Sequence, residues 1–195
     1  MSAPTRAVPK DARRRIILDA ARTLVAAKGA PALNMRDIAR EAGVALGTIY
    51  LSFPSRTDLL AVLLVERYDA LLDDLQQMTP SGSVAADLSS VTPLVAGVMG
   101  LRDQVAGWET PAGGVTETNR RDLADREARV RSAVHNLLSA SVRRSGRSLA
   151  GGAQAEGFVW LLVLALAGEV PSTNGDGAHM VHYAARVLLD GMTAS

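Results

Sequence analysis

Two helices that cross at a tight corner need a small residue where they touch, a corner residue that accepts positive φ, and an apolar anchor beyond. Residues 34–58 (NMRDIAREAGVALGTIYLSFPSRTD) supply Ala39, Gly43 and Ile49 for these roles, at spacings of four and six. Asn34 stands where an N-cap belongs, and Asp37 three residues on complements the orphan amides and the dipole of a helix running to about Glu41. Ser55 and Asp58 repeat the device. Pro54 separates the short helix holding Ile49 and Tyr50 from the next one, because the residue before a proline is pushed out of helical geometry. Four helix ends within 25 residues predict a helix-turn-helix whose short second helix fits a DNA major groove.

The helix-turn-helix needs a brace and a carrier. Apolar residues at Ile17, Ala20, Ala21, Leu24 and Val25 keep a 3.6-residue period over about residues 11–28, with Gly29 as the stop signal. Residues 1–10, with two prolines and small polar residues, read as a flexible arm from which Arg6 and Lys10 could touch the DNA backbone. The net charge of +1 hides an asymmetry: residues 1–58 hold ten Lys and Arg against five Asp and Glu, the rest eleven against fifteen. A basic N-terminal quarter on a mildly acidic body suits a module that meets phosphate. The same stretch lacks the apolar run of a secretory signal and the chain has no cysteine, which fits a reducing, cytoplasmic setting.

Beyond the motif the pattern stays helical. Leu59, Leu60, Leu63, Leu64, Tyr68, Leu71, Leu72 and Leu75 predict a helix of roughly 20 residues that ends before Thr79 and links the motif to everything downstream. Residues 84–105 are apolar but contain Pro93, Gly97 and Gly100, which predicts one kinked or two short helices, followed by a loop over 107–119. Residues 120–144 align Leu123, Val130, Val134, Leu137, Leu138 and Val142 on one side. They also carry Asp122/Arg126, Asp125/Arg129 and Glu127/Arg131 as i,i+4 surface pairs. Residues 158–168 (FVWLLVLALAG) are apolar all round, about half a membrane span, so that helix must be buried on all sides. A last helix over about 178–192 follows, and no alternating strand pattern occurs anywhere. With 48% hydrophobic residues in 195, the expectation is an all-α protein with a real core.

From Ile17 to Leu60, through ILDAARTLVAAKG, RDIAREAGVALGTIY and FPSRTDLL, the chain resembles the TetR family of bacterial transcriptional repressors. The resemblance implies an N-terminal three-helix helix-turn-helix domain over 11–57, after the arm 1–10, and a C-terminal helical ligand-binding and dimerisation domain over 58–195. Carried over position by position, DNA contacts fall on Arg36, Leu46, Gly47, Thr48, Tyr50, Leu51 and Ser52, with Arg56 on a phosphate. Thr48 and Tyr50 can each give a hydroxyl to a phosphate, and Arg36 a bidentate fork to a guanine edge; alternatively, Tyr50 is a half-buried brace. The family often has a basic or polar residue at 46 and an aromatic or histidine at 51 and 52; here they are Leu46, Leu51 and Ser52. The two leucines can touch thymine methyls, but the operator sequence is not readable from them.

The family pairs its last two helices with the same pair of a second subunit, which would put Leu162, Leu166, Tyr183, Val187 and Leu188 at a homodimer interface. The interrupted stretch after Val84 leaves Val95, Met99 and Trp108 able to line a cavity, with Trp160 closing it, for a mainly apolar small-molecule effector; the alternative is that all four are plain core. No cofactor, metal, membrane partner or catalytic activity is expected. His179 and His182 sit three apart but only His135 remains as a further imidazole, and Gly146–Ala150 (GRSLA) lacks the second glycine of a nucleophile elbow. The expected function is a ligand-responsive dimeric repressor of a roughly palindromic double-stranded DNA operator. The alternatives are a helix-turn-helix regulator without a small-molecule ligand and a small α-helical enzyme.

Overall fold

The computed structural model describes residues 9–105, 107, 114–144, 146, 148–149, 159, 161–163 and 193–194. Among the described residues, helices run in the order α1 Lys10–Lys28, α2 Met35–Glu41, α3 Leu46–Ser52, α4 Arg56–Gln77, α5 Val84–Asp103 and α6 Glu117–Arg144, with a 3-10 turn at Ala30–Ala32. Val159 and residues 161–163 are also helical. The protein is all-α, apart from a two-residue antiparallel pairing of Ser148 with Ala194 and Leu149 with Thr193 that sequence patterning does not signal.

Two compact units divide the chain: Met1–Leu63 with Asp103–Arg120, and Leu64–Arg102 with Arg121–Ser195. The first unit thus takes in a segment after α5 as well as the helix-turn-helix. Its core is built from the predicted faces: Ile17, Ala20 and Ala21 of α1, Ile38 and Ala39 of α2, Ile49 of α3, Phe53, and Leu59, Leu60 and Leu63 of α4 are buried. Asp58, only 2% exposed, accepts from the Thr116 amide and from Asn119 Nδ2, both at 2.8 Å. Ser55 caps α4 by accepting from the Asp58 amide at 2.9 Å, and its hydroxyl donates to the Gly114 carbonyl at 2.6 Å.

In the second unit, Leu64, Tyr68, Leu71, Leu72 and Leu75 of α4 and Leu123, Val130, Val134, Leu137, Leu138 and Val142 of α6 are buried on the expected sides. Tyr68 meets Glu127 and Asp69 meets Arg126, and further along both helices Leu72 and Gln76 line one groove with Ser132 and Asn136, so α4 and α6 run parallel here. The Asp87–Ser141 hydrogen bond and the Arg102–Glu127 ion pair make α5 antiparallel to α6. Two residues of the expected intrahelical pairs reach other helices: Arg126 binds Asp69 at 2.6 Å, and Glu127 meets Arg102 at 3.4 Å. Of the expected pairs, Arg129 lies 3.8 Å from Asp125.

The region after Val84 departs from expectation, for α5 is a single helix through Pro93. The amide missing at Pro93 leaves the Ser89 carbonyl without its helical donor, and Ser89, Pro93, Gly97 and Gly100 are all on the exposed side. Water can therefore satisfy that carbonyl, and the other flank (Leu88, Val91, Val95, Val98, Leu101) is buried and holds the helix together. This helix is long and apolar enough to cross a membrane, but its buried flank, which includes Asp87, is that of a core helix. The following helix begins at Glu117, three residues before the expected start, because the Thr116 carbonyl and hydroxyl receive the Arg120 and Asn119 amides at 2.9 and 3.5 Å.

Candidate DNA-binding surface

The corner between α2 and α3 is set by backbone geometry. Asn34 accepts from the Asp37 amide at 2.9 Å and so caps α2. At the other end Gly43 has φ +63°; the Val44 amide donates to the Ala39 carbonyl at 3.0 Å and the Gly43 amide to the Arg40 carbonyl at 3.3 Å. This pair of bonds closes a helix that ends on a left-handed residue, and it explains why glycine stands there. Ala39 is buried, as the small contact residue should be.

Helix α3 is held from one side only. Ile49 and Phe53 are fully buried, whereas Tyr50 is 49% and Leu51 81% exposed. Gly47 is exposed and a Cβ added there would meet nothing within 4 Å, so another molecule's backbone could approach closely at the first turn. Leu46, Thr48 and Ser52 are half-buried beside these, and Arg36 projects into solvent from α2. Seven of the eight residues expected to contact DNA therefore have accessible surface on α2 and α3. The exposure of Tyr50 argues against its being merely a packed brace. Leu51 is left uncovered by the described residues, and an apolar side chain this bare suits contact with base methyls.

Arg56 is placed differently from expectation. Its Nε donates to the Leu33 carbonyl at 2.8 Å, and its Nη2 to the Ala30 carbonyl at 2.7 Å and to Gln104 Oε1 at 3.2 Å. The guanidinium is turned inward, where it ties the connection between α1 and α2 to the start of α4, rather than outward to a phosphate. A fork of several donors suits two converging carbonyls as well as it suits a phosphate, and residue type alone does not separate the two.

A second arginine with a positioning role was not legible in the sequence. Arg14 of α1 lies 4.2 Å above the Phe53 ring and donates from Nη1 to the Ser52 carbonyl at 2.9 Å. It thus binds the C-terminal end of α3, where a cation also complements the helix dipole. The only sequence signal is its place in the Arg13–Arg15 run, which reads equally as a DNA-facing charge cluster. Asp37 forms another anchor, joined by Lys28, Asn34 and Arg40. The Lys28 hydrogen bond, aided by Asn34 and the charges of Lys28 and Arg40, holds its carboxyl below the usual carboxylate range against the opposing effect of burial.

Residues 17–63 match the family model of bacterial regulatory proteins of the tetR family. That match covers the helix-turn-helix segment, which is similar to the DNA-binding part of TetR-family regulators. Among curated relatives, the HTH-type transcriptional repressor KstR of Rhodococcus jostii is 39% identical over 70 residues, 36% of this chain and 32% of the relative. KstR of Mycolicibacterium smegmatis is 44% identical over 64 residues, 31% of each chain. These matches span about a third of the relatives' length. Across nearly the whole chain the fold is similar to that of the transcriptional regulator FadR of Bacillus subtilis, solved with stearoyl-CoA: TM-score 0.56, 20% identity, 91% of this chain and 98% of that one covered. It is also similar to a TetR-family regulatory protein from Rhodococcus RHA1, with TM-score 0.59, 16% identity and coverage of 94% and 98%.

The remaining expected sites divide by region. In the expected pocket, Val95 is fully buried and Met99 half-buried on α5, whereas Trp108 and Trp160 lie outside the described residues. At the expected dimer interface, Leu162 is half-buried beside Leu161, which is 66% exposed; Leu166, Tyr183, Val187 and Leu188 lie outside the described residues, as do His179 and His182.

Proposed function

We propose that this protein is a TetR-family homodimeric cytoplasmic transcriptional repressor that binds a roughly palindromic operator through α3 and is released by a small molecule taken up in the second unit. The observation that carries the DNA-binding reading is the one-sided seating of α3: Ile49 and Phe53 are locked into the core while Gly47, Tyr50 and Leu51 are exposed. Arg36, Leu46, Gly47, Thr48, Tyr50, Leu51 and Ser52 form the proposed contact set, and Arg56 and Arg14 are assigned to holding it in shape. Repressors among the relatives support the sign of regulation, and the ligand in the FadR structure supports a small-molecule effector.

Dimerisation is supported by the exposed Leu161 in an apolar stretch of sequence and by the need of a palindromic site for two equivalent reading helices. The reading function is placed in residues 11–57 and the receiving function in 58–195, apart from residues 58–63 and 103–120, which join the first unit and go with the reading side. Selection of duplexes from a random pool by the purified full chain tests the reading. An inverted repeat should emerge, and Leu51→Lys should lose its preference at specific positions while keeping non-specific affinity. Recovery of no sequence by the parent chain would remove it.

A further inference from the structure

Three buried polar atoms among the described residues have no hydrogen-bond partner: Thr92 Oγ1, Arg102 Nε and His135 Nδ1. All three belong to the second unit. Thr92 is only 2% exposed. A helical hydroxyl ordinarily satisfies itself on the carbonyl four residues back, as Ser89 does on Ala85 at 2.9 Å and Ser90 on Ala86 at 3.0 Å in the same helix. Thr92, on the buried flank of α5, does not, and leaving a buried donor and acceptor unpaired costs stability.

The helix registers place these atoms relative to one another. Asp87 of α5 meets Ser141 of α6, and Arg102 meets Glu127. Five residues on from Asp87, Thr92 stands opposite residue 136 of the antiparallel partner, level with His135. The other ring nitrogen of His135 is held by Ser139 Oγ at 3.2 Å. Arg102 lies ten residues further along α5, roughly 15 Å at the helical rise. Between the two levels the interior is apolar, with Val95 and Val98 of α5 and Val130 and Val134 of α6 buried. A shallow groove of about 340 Å³ between α4 and α6, lined in part by Leu72 and Ser132, opens one turn from His135.

Each unpartnered atom can be satisfied by an oxygen acceptor, since the Arg102 Nε is a donor only, the threonine hydroxyl is a donor and acceptor, and His135 Nδ1 is a donor in one tautomer. The Arg102 charge is met by Glu127, which leaves no net charge in that pair. We propose that the effector is a neutral, largely apolar molecule carrying an oxygen acceptor that binds Thr92 and His135, its apolar body lying along Val95 and Val134. This rests on the reading that the second unit receives a small molecule, and it names the chemistry of that molecule.

The test uses the full chain and four ten-carbon probes, 2-decanone, 1-decanol, decanoate and decyltrimethylammonium, titrated calorimetrically into the parent and Thr92→Val. The two neutral oxygen probes should bind at least tenfold tighter than either charged one. Thr92→Val should weaken them about 2- to 12-fold, the loss of one hydrogen bond. The empty variant should melt at the same temperature as the parent or higher, because it removes an unsatisfied hydroxyl at constant volume. A hydroxyl with a merely structural role would give a lower melting temperature, and that result overturns the proposal. So does tightest binding by a charged probe, unchanged neutral-probe affinity in Thr92→Val, or no binding by either neutral probe. Operator release by a charged probe would leave the repressor reading standing while removing this one; failure of the parent to bind DNA would remove the repressor reading whatever the probe affinities.

Discussion

Replacing Arg56 with alanine separates a brace from a phosphate contact. The side chain makes two short hydrogen bonds to the Leu33 and Ala30 carbonyls, at 2.8 and 2.7 Å, and a longer one to Gln104. A hydrogen bond to a charged group contributes about 1.5–3 kcal/mol net, and because Arg56 is half-buried the lower end of that range applies to each short bond. Leu33 and Ala30 are buried, so the Leu33 carbonyl loses this donor, while the Ala30 carbonyl keeps the Leu33 amide at 3.1 Å. The expected loss is about 2–4 kcal/mol of unfolding free energy in urea titrations, and Arg56→Lys, which keeps the charge but not the fork, should lose part of it. Operator affinity measured across a salt series should keep its slope. A phosphate contact would instead make the slope shallower by about 0.9 for each contact removed. Unchanged stability together with a shallower slope would refute the bracing assignment.

Three further outcomes follow from named contacts. Asp58→Ala strands the Thr116 amide and the Asn119 amide group, so it should cost about 2–4 kcal/mol in denaturation, and the double variant with Asn119→Ala should cost less than the sum of the two single variants; additive losses would show that the two do not interact. Gly43→Ala should cost about 1–2 kcal/mol from backbone strain alone at φ +63°, whereas Gly47→Ala, with ordinary helical geometry and open space at its Cβ, should raise the melting temperature yet weaken operator binding; equal operator affinity for Gly47→Ala and the parent would argue against close approach at that turn. Burial, reinforced by the Glu127 charge, pushes the Tyr68 phenol above its ordinary value, so its contribution is complete below about pH 10 and declines as pH rises further; Tyr68→Phe should show a smaller alkaline loss of stability, and an identical pH profile would contradict the assignment.

What could be read in advance was governed by how local the determinants are. Asn34, Gly43 and Ser55 act on residues within five positions of themselves, so the limits of α2, the corner and the start of α4 were legible. The spacing of Ile17, Ala39 and Ile49 gave the buried side of each helix for the same reason. Pro93 misled because its effect depends on which way it faces, and a proline on the exposed side of a long helix with a strong buried flank is carried without a break. Arg14 and Arg56 were obscure because their partners lie 38, 26 and 23 residues away, and a guanidinium has the same appearance in the sequence whether it binds a carbonyl or a phosphate. Thr116 and Asn119 fell in an expected loop, and their service to Asp58 depends on a tertiary contact nearly 60 residues away that no periodicity records.

The most direct measurement of the central claim is a hydroxyl-radical footprint of the full chain on the duplex that selection recovers, read together with the stoichiometry of the complex by analytical ultracentrifugation. The account predicts two protected half-sites related by a two-fold axis, centred about 34 Å apart or at a small multiple of that spacing, with two chains bound. It also predicts loss of both half-sites together in Leu51→Lys. A single unrepeated half-site protected at full affinity by one chain, or protection that Leu51→Lys leaves intact, would contradict it.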